Sequence, residues 1–169
     1  MDNIRFRKAK VEDHETIWSI IQDAIERRRL DGSKQWQDGY PNSETISKDI
    51  EKGVGFVLIN NYDEVVAYSA VLLNDEPAYD HIDGNWLSND DYLVVHRVAV
   101  SNDVLGKGIA QLIFNKIENY ALEQNIHSIK VDTNFDNIAM LRILEKLGYT
   151  YCGEVNIRGA ARKAFEKRV

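Results

Sequence analysis

The stretch His96–Phe114, HRVAVSNDVLGKGIAQLIF, joins an apolar strand to an amphipathic helix through a loop with two glycines. Its first residues belong to the apolar run YLVVHRVAV, which is typical of a central strand. From Ile109 onward, apolar residues recur at helical spacing. The first amides of a helix have no partner within it, and Gly106 and Gly108 let a ligand approach the backbone closely. The junction therefore predicts an anion-binding loop, with an ordinary strand-to-helix turn as the alternative.

The length and charge of the chain limit the class of protein. It has 169 residues, the size of one ordinary domain, and we expect a single domain over residues 1–169. The net charge of −6 argues against a nucleic-acid partner, because phosphate neutralisation needs a basic face. Cys152 is the only cysteine, and no apolar run approaches the roughly 20 residues of a membrane span. We therefore expect a cytoplasmic protein without disulfides or membrane contact.

Hydrophobic periodicity gives the order of elements. The patterns predict a strand, two helices, three strands, a helix, a strand, a helix and two strands, which is a mixed α/β domain. The first helix should end near Arg29, and the second should begin with Asn42 or Ser43 as its N-cap. A long polar connection, 74–91, precedes the central strand. In the last helix, the inward residues should be Ile138, Leu141 and Leu144.

The loop and the element order resemble the GCN5-related N-acetyltransferase family. The family motif Q/R-x-x-G-x-G/A falls on LGKGIA, Leu105–Ala110, and a downstream L-x-K-L-G-Y ends at Tyr149. Leu105 departs from the motif, since Gln or Arg is usual there. The resemblance implies a mixed, mostly antiparallel sheet flanked by helices and splayed where acetyl-CoA binds. It also implies that backbone amides hold the pyrophosphate, contributed by Leu105, Gly106, Lys107, Gly108, Ile109 and Ala110.

The same resemblance assigns further donor-binding positions. The backbone of Val98, Ala99 and Val100 would pair with the pantetheine arm as a neighbouring strand would. The N–H of Val98 would then donate to the thioester oxygen and stabilise the oxyanion that forms during acyl transfer. Asn137 matches the asparagine that opens the family's next helix and contacts the donor. Asn134 is a second candidate for that contact, with a helix N-cap as its alternative.

Proton transfer needs a base, because an alkylamine with a pKa of about 10.4 must lose a proton before it attacks. His96 is the candidate general base, since it lies two residues before Val98 on the same strand. The alternative is a buried histidine that bonds a neighbouring backbone group. Many family members carry a tyrosine as general acid where this chain has Leu144, so the acid is left unassigned.

The sequence gives fewer signals for the site that binds the acceptor amine. The connection 74–91 contains six carboxylates and no Lys or Arg, which suits a cationic amine or simply a solvated loop. The family places the acceptor near the early helices and this connection, which indicates Trp36, Tyr40 and Glu76 as substrate-binding residues. Each aromatic ring could equally be packing. The four histidines are scattered, so no metal site is expected.

The resemblance therefore implies an N-acetyltransferase that moves an acetyl group from acetyl-CoA to a primary amine in a ternary complex. The acceptor would be a small molecule or a peptide, and the protein could act as a homodimer, as family members frequently do. A different class of function is a non-catalytic acyl-CoA sensor or assembly module, for which Leu105 and Leu144 are the support. A third reading is a binder of some other phosphate ligand.

Overall fold

A computed structural model describes residues 3–169 of the chain. It contains four α-helices: α1 His14–Leu30, α2 Ser43–Glu51, α3 Ile109–Glu123 and α4 Ile138–Lys146. Eight strands accompany them: β1 Arg5–Lys8, β2 Gly55–Ile59, β3 Val65–Leu73, β4 Asp83–Gly84, β5 Leu93–Val100, β6 Ser128–Thr133, β7 Thr150–Ile157 and β8 Ala160–Arg168. In these residues, no helix is both long enough and apolar enough to span a bilayer.

The strands form one mixed sheet in the order β1-β2-β3-β5-β6-β8-β7-β4. Antiparallel ladders join β1 to β2, β2 to β3, β6 to β8, β8 to β7 and β7 to β4, whereas β5 and β6 are parallel. The mixed, mostly antiparallel sheet predicted from the sequence is confirmed. The ladder between β5 and β6 pairs Leu93–Val95 with Ile129–Val131, although β5 continues to Val100.

The polar connection before β5 is more structured than the sequence indicated. It contains a short 3-10 helix, Pro77–His81, and the two-residue strand β4. Glu76 caps the 3-10 helix, because its side chain accepts a hydrogen bond from the N–H of Ala78 at 3.2 Å. A two-residue strand carries no periodicity, which explains why sequence analysis did not find it.

The chain forms two compact units, and the first contains the chain up to Val71 together with Arg97–Lys116. Its core is the apolar face of α1 packed with residues of β2 and β3. Asn42 is the N-cap of α2 and accepts from the N–H of Thr45 at 3.0 Å, as one of the two predicted caps. The buried members of the α1 stripe are Ile17, Ile20, Ile21 and Ala24.

The second unit contains Leu72–His96 and Ile117–Val169. Tyr79 and Val94 are buried there among apolar residues of the last strands. In α4, Leu144 is fully buried as predicted, but Ile138 is 53% exposed, so its inward placement was wrong. Six helical steps of about 100° leave these two side chains about 120° apart around the axis, and one face cannot bury both.

Candidate functional site

The loop between β5 and α3 has the backbone of an anion-binding site. Gly106 and Gly108 have φ angles of 73° and 75°, a region that glycine adopts without strain. The N–H of Leu112 donates to the carbonyl of Gly108 at 3.0 Å, so the amides before it, from Ile109 to Gln111, precede the first full helical turn. These amides point along the axis beyond the helix start, where the positive end of the helix dipole also lies.

The space above this loop suits a phosphate. A Cβ atom added to Gly106 or Gly108 would meet no other atom within 4 Å. Two predicted contributors are otherwise engaged: the N–H of Leu105 donates to the carbonyl of Asn102 at 3.4 Å, and that of Lys107 donates to the carbonyl of Val104 at 3.3 Å. The Lys107 ammonium donates to the carbonyl of Asp103 at 3.2 Å. The exposed Leu105 side chain adds no polar group. The geometry therefore fits an anion held by the remaining amides of the loop and helix start.

Two arginines at the end of α1 have separate structural roles. Arg27 donates to the carbonyl of Val100 at 2.9 Å and to the Asn102 side chain, and so fixes the end of β5. The buried guanidinium of Arg28 lies over the Trp36 ring at 3.9 Å from its centroid. Trp36 is 6% exposed and belongs to the core of the first unit. The ring therefore packs as the alternative had it, and its role as a wall of the acceptor site stays a prediction.

A left-handed residue, Arg97, interrupts β5. Its φ is 57°, so the strict alternation assumed between His96 and Val98 does not hold. The Arg97 guanidinium binds both Asp49 oxygens, at 2.6 and 2.9 Å, and donates to the Tyr40 hydroxyl at 2.6 Å. The Tyr68 hydroxyl donates to the same carboxylate at 2.5 Å, and burial, followed by Asp49, raises the pKa of Tyr68. The Tyr40 hydroxyl belongs to this network, and the role of Tyr40 in the acceptor site stays a prediction.

His96 lies among carboxylates. We call Glu76, Tyr79, His96, Asp132 and Arg162 the His96 cluster. The Nε2 atom of His96 is 3.0 Å from Oε2 of Glu76, and its Nδ1 atom is 3.9 Å from Oδ1 of Asp132. The Tyr79 hydroxyl donates to Oδ1 of Asp132 at 2.6 Å, and burial, followed by Asp132, raises the pKa of Tyr79 well above its usual value. The partners of His96 in this cluster are thus side-chain carboxylates, the groups that stabilise an imidazole that has gained a proton.

Sequence analysis missed three members of this cluster. Tyr79, Asp132 and Arg162 lie on three separate elements, at 53 and 30 positions from each other along the chain. One signal was present: β6 places polar side chains at Ser128, Lys130 and Asp132, every second position of a buried strand. Such a polar row in a buried strand indicates partners on neighbouring elements, although it does not say which.

The two asparagines before α4 differ in their hydrogen bonds, and the donor contact predicted for each stays a prediction. Asn137, expected to contact the donor, is the N-cap of α4 and accepts from the N–H of Met140 at 3.2 Å. The N-cap alternative for Asn134 is therefore wrong. Its side-chain oxygen is buried and has no hydrogen-bond partner among residues 3–169. That oxygen is available to a ligand.

Two tyrosines that could serve as the general acid, Tyr149 and Tyr92, contact other side chains. The Tyr149 hydroxyl donates to Glu118 at 3.4 Å, and burial, followed by Glu118, raises its pKa well above the usual value. The Lys130 ammonium lies over the Tyr92 ring, 3.8 Å from its centroid. Burial raises the pKa of the Cys152 thiol, which makes it a poor nucleophile. Within the described residues, no group of three or more His, Cys, Asp or Glu side chains could hold a metal ion.

Comparisons with known proteins agree with this fold. The family model "Acetyltransferase (GNAT) family" matches residues 17–149. An uncharacterized N-acetyltransferase of Bacillus subtilis strain 168, YesJ, is 26% identical over 147 residues, covering 86% of this chain and 81% of its own length. The crystal structure of a GNAT-family acetyltransferase from Streptococcus agalactiae is 35% identical, with a TM-score of 0.91 and coverage of 99% and 96%.

A more distant structure carries the donor. Arabidopsis thaliana NAA60, solved in complex with acetyl-CoA, is 13% identical, with a TM-score of 0.69 and coverage of 99% of each chain, and shows the shared fold. Because the family model spans most of the sequence, the chain belongs to the acetyltransferase (GNAT) family. Its class of enzyme is accordingly the acetyl-CoA-dependent N-acetyltransferases.

Proposed function

We propose that this protein transfers the acetyl group of acetyl-CoA directly to a primary amine while both substrates are bound. The observation that carries the proposal is the contact of the Glu76 carboxylate with the imidazole of His96 on β5, the strand that also contains Val98. One strand thus supplies a base and an oxyanion donor. The whole chain, 1–169, acts in this proposal as a single catalytic domain.

The donor is held mainly by backbone. The amides of Gly106, Gly108, Ile109 and Ala110 bind the pyrophosphate, beside the open space above the two glycines. The backbone of Val98–Val100 pairs with the pantetheine arm, and the buried Asn134 oxygen accepts a further hydrogen bond. Acetyl-CoA supplies the activated acetyl thioester. The loop fits this role even with Leu105 at a position usually polar in the family, because the binding groups are amides.

The acceptor amine is deprotonated by His96, directly or through water. Glu76 orients the imidazole from its Nε2 side, and Asp132 compensates the positive charge that the ring gains. The N–H of Val98 stabilises the negative charge that develops on the acetyl oxygen. The thiolate leaves without a protein acid in this scheme, since a simple thiol has a pKa of about 8.5 and is a fair leaving group near neutral pH.

The test is the substitution His96→Gln. Loss of the base should lower kcat/KM about 100- to 10,000-fold and remove the acidic limb of the pH–rate profile. The control is His127→Gln, because His127 is exposed and bonds the carbonyl of Val169. An unchanged profile in the His96 variant would show that another group takes the proton.

A second candidate function is an acyl-CoA sensor without turnover. The specific observation is Leu144, which is fully buried where many family members carry a general acid. Calorimetric titration with acetyl-CoA, with ADP as the control ligand, tests donor binding for both candidates. Release of free CoA in the presence of a panel of amines then separates the enzyme from the sensor.

A further inference from the structure

Arg162 of β8 is a buried arginine with one donor, its Nε atom, left unpaired within residues 3–169. The residue is 7% exposed, and its Nε atom has no hydrogen-bond partner among the described residues. Its Nη1 atom is 4.0 Å from Oδ2 of Asp132, which is beyond hydrogen-bond distance. Burying an N–H donor without a hydrogen bond is costly, so the unpaired Nε atom indicates a missing partner.

The position of Arg162 connects it to the proposed base. Asp132 lies between His96 and Arg162, with one oxygen 3.9 Å from Nδ1 of His96 and the other 4.0 Å from Nη1 of Arg162. The Tyr79 hydroxyl already donates to Asp132 at 2.6 Å, so that carboxylate is not dedicated to Arg162. Directly opposite Asp132 in the β6–β8 ladder is Ala164, which lies two residues from Arg162 on the same strand and adds no polar group there.

We propose that Arg162 binds the carboxylate of the acceptor, so that the acceptor is an amino acid whose amine reaches His96 and Glu76. The inference rests on the proposed function and adds the substrate class to it. A guanidinium and a carboxylate form paired, charge-assisted hydrogen bonds, one of which would use the Nε donor that Arg162 holds without a partner. A diamine would instead bring a second cation towards Arg162 and would be disfavoured by like-charge repulsion.

The experiment compares matched acceptors. Each common amino acid is paired with the amine that differs only by loss of the carboxylate. One arm measures binding of both by calorimetry, and the other measures acetylation as release of free CoA. We expect at least one amino acid to bind and react at least about tenfold better than its decarboxylated partner. A factor of this size is what one charged hydrogen bond contributes to affinity.

Variants assign the preference to Arg162. Arg162→Gln should raise the Kd and KM of the preferred amino acid about 10- to 100-fold and leave those of the decarboxylated amine within about threefold. Arg162→Lys should be intermediate, because it keeps the charge and loses the paired geometry. Arg168→Gln is the control on the same strand, since Arg168 is already bonded to Ser88 and Asp90. Thermal melting of each variant reports whether it folds.

The possible results separate the two proposals. If amino acids and their decarboxylated partners bind and react equally well, or if Arg162→Gln weakens both equally, the inference about Arg162 is wrong. It is also wrong if no amino acid binds, whether or not other amines are acetylated. If amino acids bind through Arg162 but no acetyl group is transferred, the inference holds and the proposed function fails.

Discussion

At the scale of single residues, the Tyr79 hydroxyl makes a short hydrogen bond to Asp132 in the His96 cluster. Asp132 has a side chain only 3% exposed and receives a 2.6 Å hydrogen bond from Tyr79. Tyr79→Phe keeps the packed ring but removes the donor, and should lower the free energy of unfolding by about 1–3 kcal/mol. Urea denaturation measures the change. Tyr62→Phe, at an 84% exposed position, should have no effect, and equal losses in both variants would contradict the role of the bond.

Gly108 allows a similar comparison for the anion-binding loop. Gly108→Ala places a side chain in the left-handed region, at a cost of about 1–2 kcal/mol, and puts a methyl group into the space proposed for the pyrophosphate. We expect weaker acetyl-CoA binding by calorimetry. Gly32→Ala is a matched control, because Gly32 has a φ of 76° and equally open surroundings. If both variants bind acetyl-CoA alike, the loop is not the pyrophosphate site.

At the scale of elements, Asp49 of α2 stabilises the interruption of β5. The Asp49 and Arg97 side chains are 7% and 9% exposed, so removal of either leaves a buried charge without its counter-ion. Asp49→Ala should lower the free energy of unfolding by about 3–5 kcal/mol. Asp13 likewise accepts two hydrogen bonds from an arginine, Arg7, but at a more exposed site. Asp13→Ala should therefore lower the free energy of unfolding clearly less than Asp49→Ala does. Chemical denaturation of both variants checks the order.

Elements were predictable where their signals are local. The end of α1 near Arg29 and the Asn42 cap each follow from residues within a few positions, and the structure has both. The interruption at Arg97 was not predictable, because its cause, Asp49, lies 48 positions away. The glycine loop was found from its own sequence, whereas the contacts of Asp132 depend on how distant strands and a 3-10 helix assemble.

At the scale of the whole molecule, we expect the buried tyrosines to make the folded state less stable at alkaline pH. Burial raises the pKa of Tyr68, Tyr79 and Tyr149, whereas in the unfolded chain a tyrosine titrates near pH 10. Above about pH 10 the native state therefore binds more protons than the unfolded state, and the free energy of unfolding falls as pH rises.

This dependence can be measured by tyrosinate absorbance. The chain has eight tyrosines, and we expect only some of them to ionise reversibly before a cooperative step in which the buried ones ionise as the protein unfolds. Circular dichroism recorded alongside should show loss of structure at that step. Ionisation of all eight in one smooth transition without unfolding would contradict the burial of these hydroxyls.

The position of β8 has a consequence for synthesis of the chain. β8 lies between β6 and β7 in the sheet, although the ribosome makes it after both of them. Until Ala160–Arg168 emerges, β6 and β7 present unpaired edges, which are the surfaces that promote aggregation of nascent chains. Glu166, whose carboxylate accepts from Ser128 at 2.6 Å and from Ser88 at 2.9 Å, arrives in the same segment. The strands of the second unit therefore complete their pairing only when β8 has been translated. Before that stage, a ribosome-bound chaperone would have exposed strand edges to protect.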